Sequence, residues 1–213
     1  MIHDWRKYRN DYKKSWDNYL DIWVVSDKVL YEMCRDFPLH KKKAEIAAKV
    51  GLIERGYSAG LERHAKDDML GIITFFHKNG KFIDDLFRKV NKIKEPLTES
   101  KLQTIVSVHG EFTTLLKKIT NGRSSVRSFV SKYMHFHCLT VPIYDNIAAA
   151  VIRQRDWYPL TKSNLMRFSM PKGADELYFN YCISFFSMYT DLKEVGMEVN
   201  VRRLDRYLLW NNE

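Results

Sequence analysis

Asp145, Lys132, His135 and His137 are the residues whose types and spacing could do chemistry. They lie in Ser128-Phe-Val-Ser-Lys-Tyr-Met-His-Phe-His137 and in Val141-Pro-Ile-Tyr-Asp145, just downstream. Asp145 precedes Asn146-Ile-Ala-Ala-Ala150, a strong helix former. An Asp there is a good N-cap, because its carboxylate accepts a backbone N–H of the first turn. The same carboxylate can stabilise an oxocarbenium-like sugar or activate a nucleophile. Lys132 shares a helix face with Ser128 and Phe136, among apolar neighbours. Burial disfavours a charged amine, which makes Lys132 a candidate nucleophile. Alternatively it pairs with an acid or snorkels to solvent. His135 and His137 point to different sides of one helix and, with Cys138, match no zinc spacing. No metal site and no cofactor are expected. Tyr57, Tyr133, His135, His137 and Tyr144 are candidates to line a pocket beside Asp145.

Helices must position these groups. Trp5, Tyr8, Tyr12, Trp16, Tyr19 and Trp23 recur at spacings of three and four, which predicts one long amphipathic helix that Asp36-Phe-Pro38 stops. Such an aromatic stripe is core, or a surface for stacking bases. A second helix is predicted over 40–64, with Gly51, Gly56 and Gly60 inside it marking close helix approach or a kink. Arg55, Glu62 and Arg63 on that helix would make intrahelical pairs or line a cleft opposite Asp145. Further helices follow over 67–77, 81–92, 99–119, 124–136, 145–154, 174–194 and 201–210. Asn79-Gly80, Asn121-Gly122 and Gly196 end three of them, and Asn200 caps the last. Residues 156–173, with two prolines and a glycine, read as an ordered loop. No strand pairs are evident, so the fold class is all-α, an irregular orthogonal bundle. It forms a single domain over 1–213, or two lobes of 1–97 and 98–213 sharing a core.

Composition narrows the function classes. Hydrophobic residues make up 45% and charged residues 29%, as in ordinary globular chains. No apolar run is long enough to span a membrane, and residues 1–7 lack a signal-peptide core. Cys34, Cys138 and Cys182 form no disulfide pattern, so a reducing cytoplasm is expected, with Cys34 and Cys182 as core thiols. A net charge of +9 favours a polyanionic partner such as DNA. In the hairpin region, Arg123, Ser124, Ser125 and Arg127 are the candidate nucleic-acid contacts, through helix N-terminal N–H groups, hydroxyls and charge.

Residues 119–152 resemble the helix-hairpin-helix DNA glycosylase superfamily, in which a hairpin and helix lead to an apolar-Pro-apolar segment and a functional Asp. The chain is also similar to bacterial proteins that carry Ser-Lys-Tyr-x-His-Phe-His and Pro-Ile-Tyr-Asp. Those share Lys49-Val-Gly-Leu-Ile-Glu-Arg-Gly-Tyr57 and Leu204-Asp-Arg-Tyr-Leu-Leu-Trp210, a group without an assigned activity. The resemblance implies a glycosylase-like core, base flipping into a pocket between helical lobes, and Asp145 stabilising the sugar cation. Lys132 and Arg127 would orient Asp145 or hold phosphate. This chain departs from the superfamily in two ways. Its hairpin has one glycine, Gly122, in place of Gly-x-Gly, and Arg127 stands nearest the place of the superfamily's catalytic Lys. Those departures imply monofunctional chemistry at Asp145. The alternative is a non-catalytic helical interaction module, in which Asp145 is only a cap.

Overall fold

The computed structural model describes residues 10–15, 21–120, 126–154 and 168–210. They are helical almost throughout, and the fold class is all-α. A helical stretch covers 10–15, and ten helices follow among the described residues. These are α1 (Asp21–Asp36), α2 (Lys43–Gly56), α3 (Leu61–His64), α4 (Met69–Lys78) and α5 (Gly80–Val90). After them come α6 (Glu99–Leu116), α7 (Arg127–His137), α8 (Asn146–Gln154), α9 (Glu176–Glu194) and α10 (Val201–Trp210).

Local chemistry sets the ends. Thr98 Oγ1 accepts from Lys101 N at the start of α6, Asp68 from Gly71 N at α4, and Asn200 from Arg203 N at α10. Each side-chain oxygen satisfies a backbone N–H that the first helical turn leaves free. Gly196, at φ +75, follows the end of α9. Asn79 joins α4 directly to α5.

The helix expected over 40–64 is two helices. Gly56 ends α2, Ser58 and Gly60 take positive φ values of 46 and 81, and one short turn of helix, α3, resumes at Leu61. Gly51 and Gly56 have open space where a Cβ would stand, so neither marks a close helix approach. What Gly60 provides is a left-handed backbone conformation that other residues adopt at a cost.

Central helix α7 packs against α1, α2 and α6; α5 packs on α6, α9 on α6, and α10 on α8. Phe76, Phe87, Phe112, Phe129 and Tyr133 interlock as edge-on and offset rings at its inner face. Each such burial stabilises the fold by roughly 1.5–3 kcal/mol. One contiguous cluster of buried residues runs from Tyr12 to Leu208. Tyr12, the member of the aromatic stripe whose side chain is described, is core: it is wholly buried with its ring edge-on to Tyr207. Trp5, Tyr8, Trp16, Tyr19 and the Trp23 side chain lie outside the described residues, as do 155–167 within the expected loop. Cys34, Cys138 and Cys182 are free, buried thiols, and burial pushes Cys34 up to about 12. No described helix is long and apolar enough to cross a membrane.

Candidate functional site

The segment between α7 and α8 is fixed at three points by side chains from neighbouring helices. His135 Nδ1 donates to the Val141 carbonyl at 2.8 Å, Tyr178 Oη to the Pro142 carbonyl at 2.8 Å, and Tyr144 N to Ser131 Oγ at 2.9 Å. Since a carbonyl only accepts, the His135 proton sits on Nδ1, and Nε2 accepts from Tyr31 Oη at 2.7 Å. Burial drives His135 down to about 3, so the ring is neutral and suited to both bonds. These bonds set the position of the residue that follows, Asp145.

Asp145 caps α8 through Oδ1, which accepts from Ile147 N at 2.9 Å. Its Oδ2 accepts from Lys132 Nζ at 3.0 Å, and the same ammonium donates to the Tyr57 carbonyl at 2.8 Å. Lys132 is thus ringed by acceptors, which suits a counter-ion better than a free amine. Its side chain is 6% exposed and that of Asp145 24%, so the pair is closed on the Lys side and open on the Asp side.

The opening is a cleft of about 550 Å³ between the 57–64 turn and the start of α8. Arg63, His64, Arg127 and Tyr144 line it together with the ion pair. That volume falls in the range of small-molecule pockets. Arg127 does not reach Asp145. Its guanidinium makes a two-pronged pair with Asp175, the longer contact at 2.8 Å, and sits 5.1 Å from the centre of the Tyr144 ring. Burial pushes Asp175 up, but the Arg127 and Tyr178 N hydrogen bonds outweigh it and hold the carboxyl below its ordinary value. Asp175 also caps α9.

The residues singled out from the sequence are therefore partly brought together. Asp145, Lys132, Arg127, Tyr57 and Tyr144 share the cleft. Tyr133 and His135 do not. Tyr133 is wholly buried and hydrogen-bonded to His40 Nε2 at 2.8 Å, whose Nδ1 meets Asp84 at 2.7 Å; His135 holds the Val141 carbonyl. His137 faces a different cavity, with Cys34 and Cys138, and its ring packs on Phe87. Arg123, Ser124 and Ser125 lie outside the described residues. Among the described residues no group of three or more His, Cys, Asp or Glu side chains is placed to hold a metal ion.

Three contributors carry little local signal. Glu54, nearly buried, accepts from Leu61 N at 2.9 Å and Glu62 N at 3.1 Å, and so fixes α3. Asp27 accepts from Tyr57 Oη, Arg202 and Arg206, tying the cleft to α10. Asp205, wholly buried against Arg202, is pushed up to about 6 by burial, with Asp145 and Lys132 among the charges it feels. Asp27 acts across 175 residues and Glu54 across the turn that ends α2, where neither spacing nor residue type marks them.

No protein-family model, curated protein or solved structure matches the chain.

Proposed function

We propose that this protein acts on DNA as a glycosylase-like base-excision enzyme, with Asp145 as the carboxylate that stabilises positive charge on the sugar. One observation carries the reading: a half-open carboxylate at a helix N-cap, held by a buried Lys132 on the wall of a nucleotide-sized cleft. Lys132 pairs with Asp145 and aims it, and so acts as a positioning residue. With Lys132 Nζ engaged by two acceptors, the described cleft residues hold no free amine for a Schiff-base lyase step, and the chemistry ends at base release. Base excision requires the nucleotide to leave the stack, and the cleft has room for it. The surplus of basic residues suits the phosphate backbone.

The test is single-turnover base release from duplexes carrying deaminated, oxidised or alkylated bases. Asp145→Asn preserves the cap, because Asn is equally good there, and removes the charge. The expected outcome is a loss of at least about 100-fold in rate, with a cooperative melt retained at a lower midpoint because Lys132 loses its counter-ion. Failure of the wild type to release any base, and to prefer a duplex with an abasic-site analogue, overturns the reading.

The second reading, a non-catalytic interaction module, is favoured by the full engagement of Asp145: each oxygen already has a protein partner, as a purely structural cap would. In that case Asp145→Asn changes neither DNA binding nor any turnover.

A further inference from the structure

The walls of the Asp145 cleft carry four basic side chains, and they are not equivalent. Asp145 neutralises Lys132, and Asp175 neutralises Arg127. Arg63 and His64 form no hydrogen bond or ion pair among the described residues. Arg63 is exposed, and the His64 ring lies over Gly60, 3.8 Å from where a Cβ would stand.

These two groups are carried on a fixed platform. Glu54 takes the N–H groups of Leu61 and Glu62, so a carboxylate already occupies the start of α3. Just past α3, Lys66 N donates to the Ile119 carbonyl at 2.8 Å and Ala65 bridges Thr120. The platform is thereby clamped beside the chain that leads into α7. A guanidinium presents a planar fork of donors matched to phosphate oxygens, and an imidazole adds a directed N–H. In a nucleic acid every sugar is flanked by phosphates. A sugar set against Asp145 therefore brings a phosphate into the same cleft, whose lining includes the uncommitted Arg63 and His64 side chains.

We infer that Arg63 and His64 form the phosphate-contacting wall of the cleft, receiving a phosphodiester of the strand whose sugar faces Asp145. The inference rests on the reading of Asp145 given above and adds the residues that hold the substrate there.

The experiment measures anisotropy binding of the full chain to a duplex with an abasic-site analogue across a salt series. Arg63→Gln and the Arg63→Gln/His64→Gln pair are compared with Arg88→Gln, which lines a different cleft. In parallel, inorganic phosphate is titrated while the His64 ring signals are followed by NMR. The expected result is a loss of about tenfold in DNA affinity at low salt for Arg63→Gln, with the salt slope shallower by about 0.9, the value of one phosphate contact. Arg88→Gln leaves both unchanged, and phosphate shifts the His64 signals in the wild type but not in Arg63→Gln. An Arg63→Gln protein with wild-type affinity and slope overturns the inference, whatever the base-release assay shows. Altered slope without base release keeps the phosphate wall and removes excision. A phosphate response without DNA binding overturns the nucleic-acid assignment and leaves a free phosphate compound as the ligand. No response to either probe overturns the inference and the reading beneath it.

Discussion

Asp205 shows how much a single buried carboxyl can change at the back of the site. It is wholly enclosed, bonded to Arg202 through Oδ2, and its Oδ1 has no hydrogen-bond partner among the described residues. Burial raises its folded pKa to about 6, above the ordinary carboxylate value. A group raised in this way contributes stability that is fully present below its unfolded pKa and is lost as pH rises through the folded value. The window therefore runs from about pH 4 to about pH 6. Asp205→Asn removes that contribution, so the variant should gain melting temperature on the wild type as pH is raised through the window. Paired melts at pH 4 and pH 7 check this, and a constant difference would refute it. At this scale the sequence was legible where chemistry is local. Asp145 as a cap and Lys132 as a partner for an acid follow from residue type and helix face. Glu54 and the pairing of Asp175 with Arg127 do not, because each acts on backbone or charge brought to it by the fold.

Among the elements, the meeting of α6 with the turn before α9 decides whether Arg127 is committed. A Cβ on Gly110 would lie 2.7 Å from the Gly173 carbonyl oxygen and 2.8 Å from Ala174 Cα, both backbone atoms that cannot swing aside. Gly110→Ala must push that turn outward and move Asp175, which caps α9 and pairs with Arg127. The expected cost is about 1–3 kcal/mol, read as a lower denaturant midpoint with little change in slope. Breaking a pair this enclosed also leaves Arg127 uncompensated in the cleft, so the variant should bind DNA more tightly at low salt. Helix boundaries were largely legible in the sequence, because Thr98, Asn200 and Gly196 are caps and stops whose chemistry is local. The break at residues 57–60 was not. Ile53, Tyr57 and Leu61 keep a spacing of four through it, so periodicity reads straight across a turn that only the backbone at Ser58 and Gly60 reveals.

For the molecule as a whole, acid is the sharpest stress. His40, His109, His135 and His137 are all held below the ordinary histidine value, each chiefly by burial, with His109 and His135 at about 3. Depressed histidines contribute stability present above the unfolded pKa of about 6.5 and lost as pH falls towards their folded values. Four such groups outweigh the opposing single carboxyl of Asp205. Stability should therefore decline from about pH 6.5 downward, as measured by denaturant melts between pH 7.5 and pH 4. The decline should steepen in Asp205→Asn, and a flat profile would contradict this account of the core. The all-α class was legible because helical periodicity runs through nearly every segment. The order of packing around α7 was not, since it depends on which apolar faces meet.

The bridge from Tyr57 through Asp27 to Arg202 also has a consequence for assembly during synthesis. Asp27 lies 175 residues ahead of Arg202 in the chain, and Tyr57 supplies both a phenol to Asp27 and a carbonyl to Lys132. A nascent chain that has not yet made α10 holds an acidic residue meant for the interior with no arginine to meet it. It has every reason to leave the Tyr57 turn unsettled. The Tyr57 turn thus gains its anchor to α10 only once that helix is made, whereas Lys132 and Asp145 are joined through elements that precede it.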